Sequence, residues 1–232
     1  MFSLNELGFI RAGVAVPEMK LANPAFNCRQ IADLCSEASS QQVQVLVFPE
    51  LCITGYSVGD LFHQRLLLEA GEKELAGLLQ NTRTMDIVIV VGLPVKADNQ
   101  LFNCAVVLHQ GKILGVVPKT FIPNYNEFYE HRWFSSALQR ISDEICLCGQ
   151  LVPFNENLLF KDTGSELVIG VEICEDLWMP CPPSSNHAQH GANLLLNLSA
   201  SNEIVGKADY RRMLVEAQSA KCMAAYLYAS AG

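Results

Sequence analysis

The sequence predicts an α/β layered fold built on a mixed sheet, and three observations predict it. Strand-like and helix-like runs alternate along the whole chain. Gln110-Gly111, set between two apolar runs, marks a hairpin and so an antiparallel pair. The third is composition: half of the 232 residues (50%) are hydrophobic, only 17% are charged, and the mean hydropathy is +0.19. That richness fits strands buried on both faces, or a large subunit interface.

The elements follow in order. Phe9 to Val16 reads as a first strand ending near Pro17, and Asn27 to Ser40 carries Ile31, Leu34, Cys35 and Ala38 at helical spacing. Val43 to Phe48 is a strand stopped by Pro49, and Leu66 to Leu79 is a helix. Ile87 to Leu93 is a buried strand, followed by strands at Phe102 to Leu108 and Ile113 to Val117. Leu158 to Phe160 and Leu167 to Ile173 are strands separated by the turn sequence Asp162-Thr163-Gly164-Ser165. Asn193 to Leu198 is another, followed by a helix from about Ile204 to Cys222 and a strand from Ala225 to Ala229. No repeat or linker interrupts this order, so residues 1–232 read as one domain. The last strand pattern runs almost to Gly232, as if the chain were cut inside a longer protein.

Charge and cysteine content exclude several classes. The sum 16 − 24 gives a net charge of −8, which disfavours nucleic acid and polybasic membrane binding. No apolar run reaches the roughly 20 residues a membrane helix needs. The opening MFSLNELGFIRAGVAVPE reads as mature cytoplasmic sequence without a leader. The nine cysteines are odd in number and scattered, against a secreted disulfide framework. Cys146-x-Cys148 reads as two faces of one strand. Cys181, His187 and His190 lack a fourth ligand, so no metal site is expected.

Three strand patterns end on a reactive group: Val45-Leu46-Val47-Phe48-Pro49 delivers Glu50, the run to Pro118 delivers Lys119, and Leu167 to Ile173 delivers Cys174. A thiol, a base and an ammonium are what acyl transfer uses. Taken singly, each has an ordinary reading as a loop acid, a surface lysine or an inert core thiol. Spacing alone does not select Cys174 among nine cysteines.

The surrounding segments do select it. VFPELCITGY (47–56), VPKTFIPNYNEFYEHRWF (117–134) and GVEICEDLW (170–178) resemble the three signature segments of the nitrilase, or carbon–nitrogen hydrolase, superfamily. That resemblance implies a four-layer α-β-β-α sandwich and a Glu50–Lys119–Cys174 triad, with Glu127 as a second glutamate that orients the lysine or assists the base. Within the superfamily, ELCITGYSVGDLF, NLSASNEIVGKADYRR and CMAAYLYASAG are similar to the N-terminal glutaminase domains of glutamine-dependent NAD synthetases. The implied activity is hydrolysis of glutamine through a cysteine thioester, with ammonia passing to a C-terminal synthetase domain. Tyr56, Tyr125, Glu175, Ser201 and Lys207 are implied at the substrate. The resemblance implies that ATP and deamido-NAD belong to the synthetase domain, which is expected to follow Gly232 together with the fold's last strands; residues 1–232 are expected to need no cofactor. A homo-oligomer is expected. Another small-amide hydrolase of the superfamily, or an inactive scaffold, are the competing readings. Cys52 and Cys181 are the expected competitors of Cys174 for an electrophile.

Overall fold

The computed structural model describes residues 8–231; the first seven residues of the opening segment, and Gly232, lie outside them. The first half forms β1 (Ala12–Val14), α1 (Pro24–Ser40), β2 (Val45–Val47), α2 (Arg65–Thr82), β3 (Val88–Ala97), β4 (Gln100–His109) and β5 (Lys112–Pro118). These strands make one sheet in the order β1-β2-β3-β4-β5, parallel from β1 to β3 and antiparallel from β3 to β5. A separate hairpin, β6 (Glu144–Leu147) and β7 (Gln150–Pro153), follows. The second half supplies β8 (Leu159–Lys161), β9 (Val168–Ile173), α3 (Pro183–Gln189), β10 (Leu194–Ser199), α4 (Lys207–Cys222) and β11 (Ala225–Ser230). The second sheet runs β11-β10-β9-β8, with only the β8–β9 pair antiparallel.

Alternation within the strands sorts these elements into four layers. Leu46, Ile89, Val91 and Val106 face α1 and α2 and pack with Ile31, Cys35, Leu75 and Leu78. Their neighbours Val45, Val47, Val90 and Val107 face the other way, against Val171, Ile173, Leu196 and Leu198 of the second sheet. Leu195 and Tyr226 cover the far face with Ala224 and Cys222 at the end of α4. Each sheet is therefore apolar on both faces, as the composition implied. Fully burying one such aliphatic side chain is worth about 1.5–3 kcal/mol.

Local chemistry sets the boundaries. Asn23 caps α1 by accepting from the Phe26 N–H, and Pro24 occupies the first turn. Gln110-Gly111 turns with both φ positive (47° and 77°), and Asp98-Asn99 does the same between β3 and β4 (52° and 58°). The expected stop of the third strand at Leu93 is too early: β3 runs through Pro94 to Ala97. Pro94 is tolerated because β2 pairs with β3 only from Val88 to Val90, so no partner needs its missing N–H. The last helix starts at Lys207 rather than near Ile204, after Gly206 at φ 81°. Cys146 lies on β6, but Cys148 does not extend that strand; with Gly149 it forms the turn into β7.

Candidate active site

The C-terminal ends of β2, β5, β9 and β10 bring Glu50, Lys119, Cys174 and Ser199 together. Glu50 is buried. Its Oε1 accepts from Asn103 Nδ2 and Lys119 Nζ, both at 2.7 Å, and its Oε2 from the Ala200 N–H at 2.9 Å. Burial pushes its pKa up, Lys119 pulls it back, and Glu130 pushes it up again. Burial works against the Lys119 ammonium, but Glu130 and Glu50 outweigh it and hold the pKa well above the ordinary lysine value. Lys119 is thus a charged amine with no solvent exposure.

Gly92 makes the Glu50 loop possible. A Cβ there would stand 2.1 Å from the Leu51 nitrogen and 2.8 Å from the Glu50 carbonyl carbon. Only glycine lets β3 pass that close to the loop.

Cys174 sits at φ 45° on the turn that leaves β9, in the left-handed region that a cysteine seldom adopts. Two anchors hold the turn. The Cys174 N–H donates to Asn197 Oδ1 at 3.1 Å. Buried Asp176 accepts from the Ile173 N–H at 2.9 Å and from the Thr120 and Phe121 N–H groups at 3.2 and 2.8 Å, tying the cysteine turn to the lysine loop. Burial and the Glu172 charge raise Asp176 to about 8. The thiol of Cys174 is itself pushed up by burial and by Glu50, while Lys119 pulls it down.

The residues expected at the site divide into groups. Tyr125, Glu127, Cys174, Glu175, Ser201 and Lys207 line one cleft of about 410 Å³. Tyr125 OH donates to both Glu175 carboxylate oxygens at 2.9 Å. Ser201 Oγ is buried and has no hydrogen-bond partner among the described residues. Lys207 Nζ lies over the Trp178 and Phe128 rings, 5.1 and 5.6 Å from their centroids, and both rings form part of the cleft wall. Tyr56 stands behind the lysine: its hydroxyl donates to Glu130 at 2.7 Å. Glu127 does not touch Lys119; it is exposed at the cleft. Glu130 takes the position expected for it, with Lys119 Nζ at 2.8 and 3.0 Å from its two oxygens. The segment from Lys119 to Glu130 is irregular, so a count of residues could not tell which glutamate turns inward. Sequence reasoning also missed Asn103, Asp176, Asn197 and Ser199, which only the assembled sheets bring to the site.

Other expectations are corrected or placed. Cys52 is 1% exposed and burial pushes its thiol up to about 12, so it is a poor competitor; Cys146 and Cys181 are the exposed thiols. His187 is buried and donates to the Glu156 carbonyl at 3.0 Å. Among the described residues, no three metal-ligating side chains converge, and no helix is long and apolar enough to cross a membrane. A larger groove, about 820 Å³, opens at the other ends of the strands beside Ala12, Leu194 and Ala225, and holds none of the reactive groups.

Comparison with known proteins places this geometry. The family model for carbon-nitrogen hydrolase matches residues 11–232. The glutamine-dependent NAD(+) synthetase of Mycobacterium tuberculosis is 39% identical over 234 aligned positions, covering 100% of this chain and 34% of that protein. The rat protein of the same name is 33% identical over 88% of this chain and 29% of its own length. The crystal structure of a glutamine-dependent NAD(+) synthetase from Cytophaga hutchinsonii superposes with a TM-score of 0.84 at 31% identity, over 95% of this chain and 36% of that one. An amidase from Nesterenkonia sp. AN1 shares the fold at 19% identity, with a TM-score of 0.75 over 96% of this chain and 78% of that chain. The chain therefore spans about a third of the length of the curated relatives it matches.

Proposed function

The chain belongs to the carbon-nitrogen hydrolase family, and from that premise we propose that it hydrolyses the side-chain amide of glutamine and passes the ammonia to a synthetase domain in the manner its relatives' name suggests. The observation that carries this reading is the buried Glu50–Lys119–Glu130 cluster beside a strained cysteine that opens into the cleft lined by Tyr125, Glu175 and Lys207.

Cys174 Sγ attacks the amide carbon as Glu50 takes the thiol proton. The carbonyl oxygen becomes an oxyanion. Lys119 carries three N–H donors; one goes to Glu50, one is shared between the two Glu130 oxygens, and the third serves the oxyanion. The Cys174 amide is committed to Asn197, so the second donor is the Glu175 N–H. Such preorganised donors are worth about 3–4 kcal/mol each when lost. Collapse breaks the C–N bond, Glu50 returns its proton to the departing ammonia, and a γ-glutamyl thioester remains. Glu50 then deprotonates water, which attacks the thioester; glutamate leaves and the sulfur regains its proton. Tyr125, Glu175, Ser201 and Lys207 hold the amino-acid head of the substrate, with Glu175 facing its ammonium and Lys207 its carboxylate.

A panel of glutamine, asparagine, and simple aliphatic amides tests the reading. Ammonia release should be confined to glutamine. Equal turnover of acetamide or propionamide would assign the chain to another small-amide hydrolase.

A further inference from the structure

Cys174 Sγ has a neighbour that the mechanism above does not use. Ser199 Oγ lies 3.1 Å from the sulfur. The same hydroxyl is 2.5 Å from Tyr228 OH on β11. Ser199 is fully buried at the end of β10, in the apolar run Leu194-Leu195-Leu196-Asn197-Leu198-Ser199. A buried hydroxyl in such a strand is costly unless it is bonded, and here both its contacts are reactive or ionisable groups. The Ser199 backbone is committed as well: its carbonyl accepts from the Glu50 and Ala231 N–H groups at 3.3 and 3.2 Å. The residue after it, Ala200, donates to Glu50 Oε2. The strand end is therefore tied to the base through its backbone and to the nucleophile through the Ser199 hydroxyl.

We propose that Ser199 is a further catalytic residue, a hydrogen-bond donor to the Cys174 sulfur, and that Tyr228 is a positioning residue that directs the Ser199 proton toward it. The proposal rests on the glutaminase reading only in taking Cys174 as the nucleophile. A serine hydroxyl has one proton and two lone pairs. When Tyr228 O–H donates to Ser199 Oγ, the serine proton is free to point at sulfur. The thiol proton goes to Glu50, the sulfur keeps the electron pair, and the chain Tyr228 O–H to Ser199 O–H to thiolate forms by rotation of two hydroxyls. No proton leaves Ser199 or Tyr228. The same donor stabilises the sulfur when the tetrahedral intermediate of deacylation expels it as thiolate. The charged and titratable groups facing the sulfur are Glu50 and Lys119 from the first sheet, Tyr228 from β11, and Tyr56 and Tyr125 from the loops. The cation facing Tyr228 is Arg211 of α4, 5.9 Å from the ring centroid. Among these groups at the sulfur Lys119 is the one cation, and it is already shared by two carboxylates. That leaves the hydroxyl pair as the thiolate's other donor from a side chain.

The test is the pH profile of Cys174 alkylation by iodoacetamide in the wild type, Ser199→Ala, Tyr228→Phe and the double variant, read by peptide mass mapping. Exposed Cys146 serves as the internal reference. Ser199→Ala should slow Cys174 labelling about tenfold at fixed pH, a one-unit rise in thiol pKa. Tyr228→Phe should slow it less, and the double variant should match Ser199→Ala, because the phenol acts through the serine. Cys146 should be unchanged throughout. A merely structural hydroxyl would leave the profile where it is, and an unmoved Cys174 profile in either variant overturns the proposal. If Ser199→Ala does not fold, Tyr228→Phe, which keeps the ring, decides alone. A wild type in which a glutamine analogue fails to label Cys174 would instead sink the glutaminase reading, and the iodoacetamide profiles would still report on the hydroxyls.

Discussion

Glu130→Gln is the perturbation that separates the two glutamates of the segment Asn126-Glu127-Phe128-Tyr129-Glu130. Glu130 is 1% exposed, holds Lys119 Nζ at 2.8 and 3.0 Å from its two oxygens and accepts from Tyr56. A glutamine amide offers one acceptor oxygen where the carboxylate offers two, so one contact becomes donor against donor. Breaking a buried ion pair costs about 3–5 kcal/mol; Glu50 still pairs with the lysine, so about 3 kcal/mol is expected in denaturant unfolding. The kinetic effect has a definite sign. Glu130 raises the Glu50 pKa through its charge. Removing that charge lowers the pKa, so the acid limb of the rate–pH profile moves to lower pH while the plateau falls, because Glu50 is a weaker base and is held more tightly by Lys119. A loss of about 100-fold in kcat lies at the low end of what general-base catalysis contributes. Glu127→Gln, at an exposed position, should change kcat less than about threefold by the same range of effects. The assay is ammonia release from glutamine across pH, beside unfolding curves for both variants. A Glu130→Gln enzyme with wild-type kcat and an unmoved acid limb, or a collapse in Glu127→Gln alone, would refute the reasoning.

Three further outcomes follow from the same geometry. Gly92→Ala forces a methyl group against the Leu51 backbone and should cost several kcal/mol or prevent folding, about the range for a severe overpacking change; a thermal midpoint equal to wild type would contradict the account of that contact. Asp176→Ala leaves three backbone N–H groups without their carboxylate, and at about 1–3 kcal/mol for each unsatisfied group unfolding should shift by at least about 3 kcal/mol. With iodoacetamide at mildly alkaline pH, exposed Cys146 and Cys181 should react first, whereas Cys28, Cys35 and Cys52, raised to about 12 by burial, should react only after denaturation; early modification of Cys52, mapped by mass spectrometry, would count against its buried placement.

The layers were legible in the sequence because hydrophobic periodicity is local. The run Val45-Leu46-Val47 and its counterpart Leu194-Leu195-Leu196 are apolar at every position, and both prove buried on both faces. Pro94 misled, since its tolerance depends on how far a neighbouring strand extends. Glu50, Lys119 and Cys174 were found through motif resemblance, not spacing, and the structure brings them to one point through three separate elements. Glu130 was misassigned to Glu127 because an irregular loop has no period to count. Asn197 and Ser199 gave no signal: in a buried strand, their polar function is visible only when the end of β9 is laid beside β10.

The central claim is that Cys174 is the nucleophile of a glutamine-shaped site. It is tested most directly by incubating the protein briefly with a diazoketone analogue of glutamine and mapping every cysteine. One adduct is predicted, on Cys174, suppressed by excess glutamine and absent in Cys174→Ala, which should also release no ammonia while remaining folded. Adducts spread over several cysteines, or undiminished ammonia release by Cys174→Ala, would contradict it.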